Sequence, residues 1–168
     1  MSLTSRIGVE LTALLTGTAD FGPPSSDVRK ARSFPLANGT GANQADRLFA
    51  DRRTLAASAS ESLDLAGSLV DTLGATITFA RVRALLVEAS SGNTNNVVVG
   101  GAASNAFASM FGDATDKLVV RPGGAILLLA PGATGYAVTA TTGDLLQVAN
   151  SGGTTSVTYD ITIIGASA

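Results

Sequence analysis

Ser156-Val157-Thr158-Tyr159-Asp160-Ile161-Thr162-Ile163 alternates polar and apolar residues with a period of two. Val157, Tyr159, Ile161 and Ile163 share one face, and Thr158, Asp160 and Thr162 the other, which is the pattern of a half-buried β-strand. Gly152-Gly153 marks a turn just before it. Upstream of that turn, Asp144-Leu145-Leu146-Gln147-Val148-Ala149 reads as the other arm of a hairpin.

The same grammar continues toward the N-terminus. Lys117-Leu118-Val119-Val120-Arg121 runs into the turn Pro122-Gly123-Gly124. Ala125-Ile126-Leu127-Leu128-Leu129-Ala130 follows, apolar on both faces and closed by Pro131-Gly132, as expected of a fully buried strand. Tyr136-Ala137-Val138-Thr139-Ala140 and Val97-Val98-Val99 are two more short strands, and residues 48–57 and 60–65 a further pair. Asn93, Asn95 and Asn96 belong in a turn, where Asn tolerates left-handed backbone. Thr76-Ile77-Thr78-Phe79 reads as a strand, while residues 80–89 also fit a helix. The β pattern on both sides favours one long strand with a bulge near Arg81, which would point Arg81 and Arg83 outward together. Short strands divided by turn signals every 8–12 residues or so predict an all-β sandwich or barrel.

The first 45 residues read differently. Leu3, Ile7, Leu11 and Leu14 recur at helical spacing, but Gly8 and three Thr weaken a helix. Residues 17–26, with Pro23-Pro24, read as a linker, and Asn38-Gly39-Thr40-Gly41 as a flexible loop. The expected organisation is therefore an N-terminal arm and linker over residues 1–45 and a β-sandwich domain over 46–168. The arm holds the candidate partner-binding residues: the apolar set Leu3, Ile7, Leu11 and Leu14, and the cationic set Arg29, Lys30 and Arg32. Asp27, Asp46 and Asp51, interspersed with Arg29, Arg47, Arg52 and Arg53, favour local pairing or a protein interface over a nucleic-acid surface.

Composition narrows the chemistry. The chain of 168 residues has no His and no Cys, which removes Ser-His-Asp and Cys-His machinery, thiolate catalysis and zinc–sulfur sites. With no Trp and only two Tyr, it is poorly equipped with the aromatic platforms of a sugar-binding site. Gly39-Thr40-Gly41 and Gly100-Gly101 lack the Lys-Ser/Thr pair of a phosphate cradle, so they are read as turns. Asp113 and Asp116 have the spacing to share a calcium ion but lack further oxygen donors nearby, so a solvated loop is the better reading. No catalytic residue, cofactor or metal is expected.

Charged residues make up only 14% of the chain, against about 25% in ordinary globular domains. A small domain with so few charges to cover its surface is expected to bury part of that surface against partners. The net charge of −2 argues against phosphate neutralisation as the means of binding. No stretch is apolar enough for a membrane span, and the start Met1-Ser2-Leu3-Thr4-Ser5-Arg6 lacks the layout of a secretory signal, so use without export is expected.

Four phrases carry a resemblance: Asn93-Thr94-Asn95-Asn96-Val97-Val98-Val99-Gly100-Gly101-Ala102-Ala103, Arg121-Pro122-Gly123-Gly124, Ala130-Pro131-Gly132-Ala133-Thr134-Gly135-Tyr136, and residues 156–165. Across residues 45–168 or so, the chain resembles small virion structural proteins of tailed bacteriophages, in particular capsid cement or decoration proteins. The resemblance implies a jelly-roll-like antiparallel sandwich, often a homotrimer, on the outer surface of a capsid assembled in the host cytoplasm. Its partners would be the major capsid protein and further copies of itself. A phage tail or fibre component and a carbohydrate-binding β-sandwich are the alternatives.

Overall fold

The computed structural model describes residues 2–67 and 69–168, so Met1, the first residue of the expected arm, and Ser68 lie outside the described residues. Among those described there is no helix. The strands in chain order are β1 Ser5–Thr16, β2 Ser25–Asn38, β3 Gln44–Ala45, β4 Arg47–Leu55, β5 Ser60–Asp64, β6 Leu69–Val70 and β7 Thr76–Ile77. They continue with β8 Arg81–Ala89, β9 Val97–Gly100, β10 Lys117–Val120, β11 Ala125–Leu129, β12 Tyr136–Ala137, β13 Leu145–Asn150 and β14 Val157–Ala166.

Two antiparallel sheets form a β-sandwich. One runs β11-β8-β14-β4, with β12 also pairing β8, and the other runs β10-β9-β13-β5. The pairing is nested: β4 pairs with β14, β5 with β13, β8 with β11 and β9 with β10. The earliest long strand of the sandwich thus meets the last, and each following pair closes inside the one before. Period-two alternation supplies the core between the sheets. β14 contributes Val157, Tyr159, Ile161 and Ile163, all at most 1% exposed, and β8 adds Leu85 and Val87. Leu146 and Val148 on β13, with Val97 and Val99 on β9, meet them from the other sheet. Each such aliphatic side chain contributes about 1.5–3 kcal/mol on burial.

Several expectations change. Residues 144–149 and 156–163 are not a hairpin: β13 and β14 lie in different sheets, and the Gly152-Gly153 segment carries the chain between them. Both strands alternate correctly because each turns its apolar side to the same core from opposite walls. The long strand expected from Thr76 is divided. β7 pairs with β6, and β8 begins only at Arg81. The bulge expected near Arg81 is present: the register of β14 against β8 skips Arg83 between Ile164 and Gly165. Arg83 does not point outward; it is fully buried.

β11 also departs from its reading as a fully buried strand. It is an edge strand, with Ala125 exposed and Ile126 to Leu129 half-buried. Ile126 and Leu128 pack on the core, so Leu127 and Leu129 face out. Their register partners continue that outer surface: Leu127 lies opposite Leu86, and the rows extend through β14 to Leu48, Ala50 and Ile164. The outside of this sheet is therefore apolar at one end, whereas a solvated antiparallel face is normally polar. Toward the other end it turns polar, with Arg52, Asp160 and Glu88 in one row.

Candidate interaction surface

Residues 17–26 do not form a linker, whereas the loop expected at Gly39 to Gly41 lies between β2 and β3. β1 and β2 pair antiparallel over twelve positions, from Ser5 opposite Leu36 to Thr16 opposite Ser25. The expected linker is the turn of this hairpin, closed by Gly17 N donating to the Pro24 carbonyl at 2.9 Å. The signal was present in the sequence, because Ile7, Val9, Leu11, Ala13 and Leu15 alternate with polar or small residues over most of β1. Leu3 and Leu14 imposed a competing helical spacing on the same segment.

Residues opposite one another in an antiparallel pair project to the same side. Ile7 lies opposite Phe34, Val9 opposite Arg32, Leu11 opposite Lys30 and Ala13 opposite Val28. One side of the hairpin is therefore an apolar ladder carrying two cations. The other bears Arg6, Glu10, Thr12, Asp27 and Arg29, joined by Arg6 Nε to Ser33 Oγ and Arg29 Nε to Asp27 Oδ2, both at 2.7 Å. The seven candidate residues separate accordingly. Ile7, Leu11, Lys30 and Arg32 come together on the apolar side, while Leu14 and Arg29 lie on the opposite side. Leu3 precedes β1, half-buried, with its backbone N–H donating to Asn38 Oδ1 at 2.9 Å.

The hairpin leaves the body progressively. Exposure rises from 42% at Val9 to 55% at Leu11, 75% at Leu15 and 106% at Phe21 in the turn. Near the base, Val9, Leu11 and Phe34 line a hollow of about 530 Å³ together with Leu129 of the sandwich. A two-stranded ribbon without a core behind it is at best marginally stable in water. An exposed apolar ladder of this kind is a surface awaiting cover.

The root is tied down firmly. Arg83 donates from Nη2 to the carbonyls of Thr40 at 3.1 Å and Gly41 at 3.0 Å, and from Nη1 to that of Gly132. Burial, with Arg81 nearby, lowers the pKa of this guanidinium from its ordinary value. Asn43 N–H donates to the Pro131 carbonyl at 2.8 Å and Gly41 N–H to Gln44 Oε1 at 2.8 Å. β3 adds two parallel pairings to the end of β2. The sequence flagged Arg83 as a charge but offered no sign of this role, because its three acceptors are backbone carbonyls from distant loops.

The other singled-out groups are absorbed by the fold. Asp113 Oδ1 accepts from Thr115 N and Oγ1 at 2.9 and 2.8 Å, which holds its carboxyl below the usual range. Asp116 Oδ2 accepts from Asp113 N at 2.8 Å, so both carboxylates shape the loop. Among the described residues no group of three or more metal-ligating side chains forms. Arg47 pairs with Asp46 at 3.1 Å and Arg53 with Asp51 at 3.0 Å, as the interspersed charges suggested. Tyr159 lies in the core, and Tyr136 is half-buried at the edge of that core. Comparisons with protein-family models, with curated proteins and with solved structures returned no match.

Proposed function

We propose that the chain is a non-catalytic structural building block, acting as a cement protein on the outer surface of a tailed-phage capsid. The observation that carries this reading is the firmly rooted hairpin, whose far end stands clear of its own sandwich. A ribbon of this kind has its use in reaching across a subunit boundary. The nested pairing of eight strands supports a jelly-roll winding, an architecture common among viral capsid domains. The phrase-level likeness over residues 45–168 gives the proposal its place on the capsid. Attachment to the major capsid protein and to further copies would rest on area and apolar contact, so it should weaken only modestly with salt.

Cryo-electron microscopy of the parent particle tests the location. Density over the capsid lattice is expected, and density confined to the tail would overturn the cement reading in favour of a tail component. A companion experiment replaces residues 10–31 with Asn-Gly, which closes a short hairpin above the retained root. The sandwich should keep its melting behaviour while occupancy on particles falls. Full occupancy would remove the hairpin from the attachment.

A further inference from the structure

Two apolar surfaces of this chain, one exposed and one half-buried, complement one another. The first is the far half of the hairpin, from Leu11 to the turn. The second is the outer face of the five-stranded sheet, where Leu48, Ala50, Leu86, Leu127, Leu129 and Ile164 adjoin. We infer that the far half of the hairpin of one copy packs on the outer sheet face of a second copy.

Length argues for a second copy. A strand of twelve residues spans about 40 Å, while four strands side by side span about 20 Å, so the ribbon is longer than the sheet is wide. The exposure of Leu15 and Phe21 shows that its own sandwich does not receive the far end. Continuity adds to this. Leu129 closes the hollow beneath Val9, Leu11 and Phe34, so the ribbon and the sheet face form one apolar surface bent at the hairpin root.

Charge completes the match. Lys30 and Arg32 project on the same side as Leu11 and Val9, and neither makes an ion pair among the described residues. On the sheet, the row beside the apolar patch carries exposed Glu88, which makes no ion pair among the described residues, while its neighbour Asp160 is already held by Arg52. Over the whole chain, residues 1–45 hold four basic and three acidic groups (+1) and residues 46–168 seven and ten (−3). Apolar ladder meets apolar patch while Lys30 meets Glu88. Stacking two hairpins on each other by these same sides would instead crowd four cations together. Repeated around an axis, such an arm exchange closes into a symmetric oligomer.

This inference deepens the building-block reading but does not depend on a capsid, so the purified full-length protein tests it. Because the chain lacks Cys, Leu11→Cys and Leu86→Cys can be introduced in separate preparations, mixed and oxidised. A mixed disulfide dimer is expected, with none when Leu11→Cys is paired with Val119→Cys on the other sheet. Independently, light scattering after size exclusion should show an oligomer for the wild type. Glu88→Lys should weaken self-association by about tenfold or more, and adding Lys30→Glu should restore most of it. These last two positions are exposed, so their replacement leaves the core untouched. A monomer that forms no mixed disulfide, or an oligomer indifferent to the charge swap, overturns the inference. A monomer that still decorated particles would sink the arm exchange and spare the cement reading; an oligomer without affinity for particles would do the reverse.

Discussion

The guanidinium of Arg83 lies 3.0 Å from the carbonyl of Gly41, so a charge buried in the sandwich holds the root of a hairpin that is otherwise exposed. No carboxylate takes part. Three carbonyl dipoles accept from its two terminal nitrogens while the buried Nε has no partner, which makes the contact directional and couples the aim of the hairpin to the packing of β8.

Arg83→Ala should destabilise the protein by about 3 kcal/mol, through the cavity and the lost hydrogen bonds together. Arg83→Met should recover most of the packing but not the bonds. Hydrogen exchange at Gly39, Gly41 and Asn43 would then stay fast in both variants. Wild-type protection at these amides in Arg83→Met would show that the root is held by other contacts.

Tyr159 on β14 donates its hydroxyl to Glu61 on β5 at 2.7 Å, joining the two sheets, and Arg53 completes the group from β4. Burial, together with that bond to Glu61, pushes the phenol pKa well above its ordinary value. The fold therefore favours the neutral phenol. The resulting stability is fully present below the unfolded value of about 10 and is lost as pH rises above it. Tyr159→Phe should cost about 1 kcal/mol at neutral pH. That deficit should shrink steadily above about pH 10 in denaturant titrations. A deficit constant with pH would contradict the linkage.

Arg52 holds Asp160 with two bonds, Nε to Oδ1 at 2.6 Å and Nη2 to Oδ2 at 2.7 Å. The hydrogen bond to Arg52 pulls the Asp160 pKa below the ordinary carboxylate value. A depressed pKa of this kind stabilises the fold above the unfolded value and loses that effect as pH falls through the folded one. Carboxyl carbon NMR should show Asp160 titrating below about 3.9 in the wild type and returning toward it in Arg52→Gln. The same midpoint in both proteins would mean that the pair dissolves in solution.

Gly39 has φ +138°, and a Cβ there would lie 2.5 Å from Gln44 Oε1, the oxygen that accepts from Gly41 N–H. Gly39→Ala should lower stability by about 1–3 kcal/mol, read as a fall in the melting temperature. At Gly8 a Cβ meets nothing within 4 Å. Gly8→Ala should therefore be neutral or slightly stabilising, since Gly weakens a strand interior. Equal losses at the two sites would refute the steric account of the root.

The strands of the sandwich were readable where alternation was clean, as at Val157 to Ile163 and in the turn-bounded run from Leu145 to Ala149. The hairpin was not, because Leu3, Ile7, Leu11 and Leu14 satisfy a helical period while the odd residues from Ile7 to Leu15 satisfy a strand period. Within such a short segment the two patterns overlap, and only the pairing partner chooses between them. Of the candidate residues, Ile7, Leu11, Lys30 and Arg32 reach a common side because β2 lies opposite β1 in one register. Leu14 and Arg29 fall on the other side of that same register.

The sequence by itself determined that this is an all-β chain, which residues of β14 face the core, and that His- and Cys-based chemistry is absent. Those properties are local or compositional: a period of two specifies a face, and a missing residue type is missing in any fold. Only the tertiary structure decided that β13 and β14 belong to opposite sheets, that Arg83 lies inside and roots the hairpin, and that Leu86, Leu127 and Leu129 form an outer apolar surface. Each of these depends on which distant segments meet. A hydrophobic period says that a side chain must be covered and leaves open what covers it.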